Sequence, residues 1–74
     1  MSYQEIFESL GFQYMGPCKC RYQKGYIYRH PTEQSMELWI YPKNMKIKKR
    51  EFDTTKEVVP YTPETMETVI KALV

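Results

Sequence analysis

Seventy-four residues, 42% apolar and 27% charged with a formal net charge of +2, describe one small globular domain and exclude a low-complexity or disordered chain over most of the length. No apolar run approaches the ~18 residues that a membrane-spanning helix needs, and Glu5 and Glu8 near the start do not fit the basic-then-apolar order of a signal peptide. A core of this size supplies only about 3–5 kcal/mol of net stability unless a metal, disulfide or partner adds to it.

In chain order, Ser2 to Leu10 reads as a helix. Ser2 and Glu5 have the Ser-x-x-Glu spacing in which hydroxyl and carboxylate satisfy the free amides of a helix start. Tyr3, Ile6, Phe7 and Leu10 form the stripe that such a helix buries, and Gly11 supplies a residue suited to ending it. Phe12 to Tyr22 reads as a first strand. Its even positions Phe12, Tyr14, Cys18, Cys20 and Tyr22 are apolar or aromatic, its odd positions Gln13, Lys19 and Arg21 are polar, and Gly16-Pro17 marks a kink across which the alternation keeps phase.

Gln23-Lys24-Gly25 reads as a turn, with Gly25 able to take positive φ, Tyr26 to His30 as a second strand and 31–35 as a loop. Met36 to Tyr41 is a third strand, with Met36, Leu38 and Ile40 on one face and Glu37, Trp39 and Tyr41 on the other. Trp39 is then either a half-covered core residue or an exposed platform. After a turn at Pro42-Lys43-Asn44, Met45 to Phe52 fits a fourth strand or an extension of the third, with Lys46, Lys48 and Arg50 on one face. Residues 53–61 carry only a weak pattern, in which Val58-Val59 pair briefly at most. Thr62 fits the cap of a last helix, with Pro63 in its first position and Met66, Val69, Ile70 and Leu73 as its apolar stripe. The expectation is an α+β fold over residues 1–74: a two-layer sandwich ordered helix, three or four antiparallel strands, helix, with both helices on one sheet face.

Catalytic signatures are sparse. The chain has no glycine-rich phosphate loop, no Gly-x-Ser-x-Gly and no His-Glu-x-x-His. Histidine is a common general base, but His30, the sole histidine, precedes Pro31 at a strand end, where a polar end residue is the plainer reading. Glu64 and Glu67 suit the start of a helix. Cys18 and Cys20, two apart on one strand, are poorly placed to bond each other and read as reduced thiols of an intracellular, cytoplasmic protein. Zinc would need about four ligands, so no metal and no cofactor is expected.

The net charge conceals segregation. Residues 11–50 carry nine cations against two carboxylates, whereas residues 51–74 carry five carboxylates against two cations. The run from Lys43 to Arg50 holds Lys43, Lys46, Lys48, Lys49 and Arg50, and with Lys19, Arg21 and Lys24 it makes a candidate phosphate-binding surface. Neighbouring aromatics could stack on unpaired bases. The competing reading is a solvated edge strand, in which lysine discourages sheet-to-sheet aggregation. The tyrosines at 22, 26, 28 and 41 are mostly needed to fill the core.

The helix–strands–helix order with Gly16-Pro17 resembles the double-stranded-RNA-binding domain, although Lys19 stands where that family has a histidine. The last helix also begins with the acidic Thr62-Pro63-Glu64, where the family places phosphate-gripping lysines. Leu10-Gly11-Phe12, Gly25 before a strand ending Arg29-His30-Pro31, and Thr65-Met66 leading into Val69-Ile70 resemble the HicA family of small toxin ribonucleases. The catalytic histidine of that family would fall at Tyr26 or Ile27, so the resemblance implies the fold without the nuclease chemistry, and His30 is not at the matching place. The expected protein is therefore a binding module rather than an enzyme, with no membrane partner. Its first candidate partner is nucleic acid, RNA foremost. The alternative is a protein partner or a second copy of the chain, met through a strand edge with Trp39 and Tyr41. A HicA-like ribonuclease ranks third.

Overall fold

The alternation in the sequence becomes an open antiparallel sheet, preceded and followed by a helix. The structure, a computed structural model, describes residues 2–20, 23–51 and 55–74, with the backbone alone for Lys19, Cys20, Gln23, Thr55 and Lys56. Its elements are α1 (Tyr3–Ser9), β1 (Gln13–Cys20), β2 (Gln23–Arg29), β3 (Met36–Tyr41), β4 (Lys46–Glu51), β5 (Thr55–Pro60) and α2 (Met66–Leu73). The sheet order is β1-β2-β3-β4-β5, a meander in which each strand pairs with the next in sequence. Among the described residues there are thus five strands where three or four were expected. The added strand is β5, paired along its whole length with β4, Val59 opposite Ile47. Its two valines are adjacent rather than alternating, which hides it from a period-two search.

The helix starts follow local chemistry. Ser2 Oγ accepts the Glu5 amide at 3.3 Å while Ser2 N donates to Glu5 Oε1 at 3.3 Å, closing the reciprocal cap. The last helix starts later than its sequence suggests. Residues 63–65 form a turn in which the Thr65 amide donates to Thr62 Oγ1 at 3.3 Å, and α2 proper begins at Met66. Thr62 caps that turn rather than the helix.

Two strand assignments are corrected. Gln23, Lys24 and Gly25 are not a turn but the first residues of β2, opposite Cys20, Lys19 and Cys18; the link between the strands falls on Arg21 and Tyr22, outside the described residues. Within β1 the phase does not survive Gly16-Pro17. Tyr14 pairs with Tyr28 and Gly16 with Ile27, so Met15 is an extra residue and the strand carries a bulge. Cys18 then shares the face of Gly25, opposite to that of Tyr14.

One sheet face builds the core. Tyr28, Leu38, Ile40 and Ile47 join Ile6 and Phe7 of α1 and Ile70 and Leu73 of α2 in a single buried cluster. Phe7 stacks on Tyr28 with ring centroids 4.2 Å apart and meets Phe12 edge-on at 5.2 Å. Each wholly buried side chain of this kind contributes roughly 1.5–3 kcal/mol. No helix among the described residues is long and apolar enough to cross a membrane.

Candidate functional site

Register places Trp39 at the middle of the sheet face that does not carry the core. Gly16, Ile27, Trp39, Lys48 and Val58 lie opposite one another in turn, one from each strand. The next row is Gln13, Arg29, Glu37, Arg50 and Lys56. Lys46, opposite Tyr41, extends the same face on the other side. Alternate residues of a strand are spaced by about 7 Å, so Lys46, Lys48 and Arg50 make a ladder of cations along β4.

The indole organises this ladder. Lys48 Nζ lies 4.2 Å from the ring centroid of Trp39 and the Arg50 guanidinium carbon 5.6 Å from it, both within the range of attraction to the ring's electron-rich face. Trp39 Nε1 donates to Glu37 Oε1 at 3.1 Å, which orients the ring and engages the one carboxylate of the row. Trp39 is thus half-buried and its ring already holds cations; a base would stack on it only by displacing one of them. Arg29, which composition alone did not single out, sits opposite Glu37, with its Nε buried and without a hydrogen-bond partner. Only cross-strand register brings it to Arg50.

The other sequence candidates scatter. Lys49 belongs to the opposite face of β4 and pairs with Glu51 at 3.1 Å. Lys24 has the parity of Tyr26 and so lies on the core side, exposed. Lys43 is exposed in the β3–β4 turn. Lys19 has a described backbone only, and Arg21 lies outside the described residues. Tyr41 is buried against Gly25, so its ring is not an exposed contact for a partner.

His30 has structural work. Its Nδ1 accepts the amides of Thr32 at 3.1 Å and Glu33 at 3.0 Å, folding the loop after β2, and its ring meets Phe12 edge-on at 5.3 Å. Glu67 pairs with Lys71 one helical turn on, at 3.5 Å. Among the described residues no group of three or more histidine, cysteine or acidic side chains is arranged to hold a metal ion.

A second feature was not legible in the sequence. Tyr3, Tyr14, Tyr26 and Tyr28 form a ring cluster beside a cleft of about 600 Å³ between α1 and the β1–β2 pair. Burial, and then the neighbouring phenols Tyr26 and Tyr28, push the Tyr3 pKa up to about 12. Tyr28 is also raised, by burial first, then by Tyr14 and the Glu8 carboxylate.

No protein-family model matches the chain, and neither does a curated protein or a solved structure. Its class therefore rests on geometry: an α+β domain with a five-stranded antiparallel sheet and two helices, one sheet face of which is basic.

Proposed function

We propose that this is a nucleic-acid-binding module, built as two layers with both helices on one face of the sheet, that grips a phosphate backbone with the other face. The observation that supports this reading best is the convergence of Lys46, Lys48 and Arg50 on one side of β4, with two of them held over Trp39. The described charges of that face are Arg29, Lys46, Lys48 and Arg50 against Glu37 alone, and Glu37 already accepts a hydrogen bond from the indole. Cations held in place lose less freedom on binding than free lysines do. The contacts are electrostatic and therefore tolerant of sequence. The reading is of a binding module rather than an enzyme, and it leaves His30 to its loop, where Nδ1 accepts the amides of Thr32 and Glu33.

The competing occupant of the same face is a protein surface, for which the strip Ile27, Trp39 and the 55% exposed Val58 is the supporting observation. Strand addition at an edge is disfavoured, because β1 is bulged with Pro17 inside it and β5 ends in Pro60.

The test is fluorescence anisotropy of a labelled single strand and a labelled duplex with the full chain at two salt concentrations. Three neutralised phosphates give a log–log salt slope near −2 for a single strand, or about a twentyfold loss of affinity for a fourfold rise in salt. Lys46→Gln with Arg50→Gln should reduce the slope to about −0.7. No anisotropy change at low salt and tens of micromolar protein, together with self-association that Trp39→Ala abolishes, would replace the nucleic acid by a protein partner.

A further inference from the structure

The cleft beside the tyrosines is walled by α1 on one side and by β1 and β2 on the other. Its ionisable lining consists of carboxylates and phenols, Glu5 and Glu8 with Tyr14, Tyr26 and Tyr28, and no lysine or arginine lines it among the described residues. Tyr3 and Tyr14 each meet the rings of both Tyr26 and Tyr28. Tyr3 stacks on Tyr26 at 5.7 Å and meets Tyr28 edge-on at 6.4 Å, while Tyr14 lies 5.2 Å from Tyr28 and 6.4 Å from Tyr26. Tyr14 is half exposed, so part of it remains accessible to a ligand. Helix α1 holds one acid in place: Glu5 Oε1 accepts both the amide and the hydroxyl of Ser2. Glu8 is in no ion pair among the described residues.

Aromatic faces carry negative charge density, and aromatic cages bind ammonium groups for that reason. Carboxylates at the rim of such a cage add a net charge that water screens only in part. The volume of about 600 Å³ exceeds what one hydrated metal ion needs and lies in the range of small organic ligands. The rings suit an apolar body and the acids suit a cationic head. We infer that this cleft is a binding site for an alkylammonium group, with Tyr14, Tyr26 and Tyr28 as its aromatic wall and Glu5 and Glu8 as its counter-charge. The site is independent of the basic sheet face: its residues come from α1, β1 and the core side of β2. The group has two sources, a free quaternary amine or the side chain of a lysine in a peptide.

The test is a titration of the full chain, followed by NMR of the tyrosine rings, with three probes. Choline stands for the free quaternary amine, and lysine amide with a blocked α-amine stands for the peptide side chain. The carbon isostere of choline, without charge, is the control. The expected result is a saturable shift of the Tyr14, Tyr26 and Tyr28 resonances with at least one cation and none with the isostere; the cation that saturates at lower concentration names the source. Glu8→Gln and Tyr14→Leu, both at exposed positions, should each weaken binding by about two- to fivefold, while Glu64→Gln, in the turn before α2, should leave it unchanged. Equal binding of the isostere, absence of a saturable shift with both cations, or unaltered affinity in Glu8→Gln would overturn the assignment.

Discussion

Gly25→Ala tests whether the second strand is read correctly. If Gly25 were a turn residue, alanine would strain a backbone that needs positive φ; in the structure it lies in β2 and its φ is not positive. What excludes a side chain is Tyr41. A Cβ at position 25 would stand 2.6 Å from Tyr41 Cε1 and 2.8 Å from Cδ1, with the Ile40 carbonyl oxygen at 3.3 Å. Carbon atoms settle at about 3.5–4.0 Å, so the ring must retreat by about 1 Å, and it is itself buried. Overpacking of this sort costs about 1–3 kcal/mol, offset by roughly 0.5–1 kcal/mol because alanine loses less backbone freedom than glycine. The difference spans about 0–2.5 kcal/mol, and at its centre of about 1 kcal/mol Tm falls by roughly 4–8 °C for a domain of this size. Thermal and urea unfolding followed by circular dichroism measure it. The same substitution in a Tyr41→Leu background should cost less, because the obstructing ring is gone. An equal effect of the substitution in both backgrounds would refute the wedge.

Ile70 is completely buried, so Ile70→Asp places an unpaired charge in the core. Cooperative melting should be lost, and a sharp transition near the parental Tm would show that α2 is wrongly phased. Stability should also fall at alkaline pH: Tyr3, Tyr28 and Tyr61 hold their protons more tightly when folded than a free phenol does. Their contribution is complete below pH 10 and is lost as the pH rises towards 12, because the unfolded chain ionises first. Urea midpoints across that window should decline, and Tyr3→Phe should flatten the decline; a midpoint independent of pH there would remove the argument.

What the sequence disclosed was whatever depends on near neighbours. The capping box at Ser2 and Glu5, the stripe of α2 and the inward set Met36, Leu38 and Ile40 each involve residues within a few positions of one another, and all are present. So is the shared face of Lys46, Lys48 and Arg50, because parity along one strand fixes it. Gly25 misled because local statistics assign glycine to turns, whereas its cause is a ring on another strand. Arg29 was passed over for the same reason: its place in one row with Glu37 and Arg50 is set by register. The tyrosine cleft joins a helix to two strands, and no window along the chain contains it.

The bulge in β1 makes one residue dispensable in an unusual sense. Removing a residue from a regularly paired stretch of strand turns every side chain on one side of the gap to the opposite face. Removing Met15 does the reverse: Tyr14 and Gly16 already oppose the consecutive residues Tyr28 and Ile27, so every remaining pair of β1 would keep both its partner and its face. Chains one residue shorter at this point are therefore compatible with the same core. What they would forfeit is one of two interruptions in an outer strand: the bulge would go, and Pro17 alone would keep the edge from serving as a continuous template for another chain.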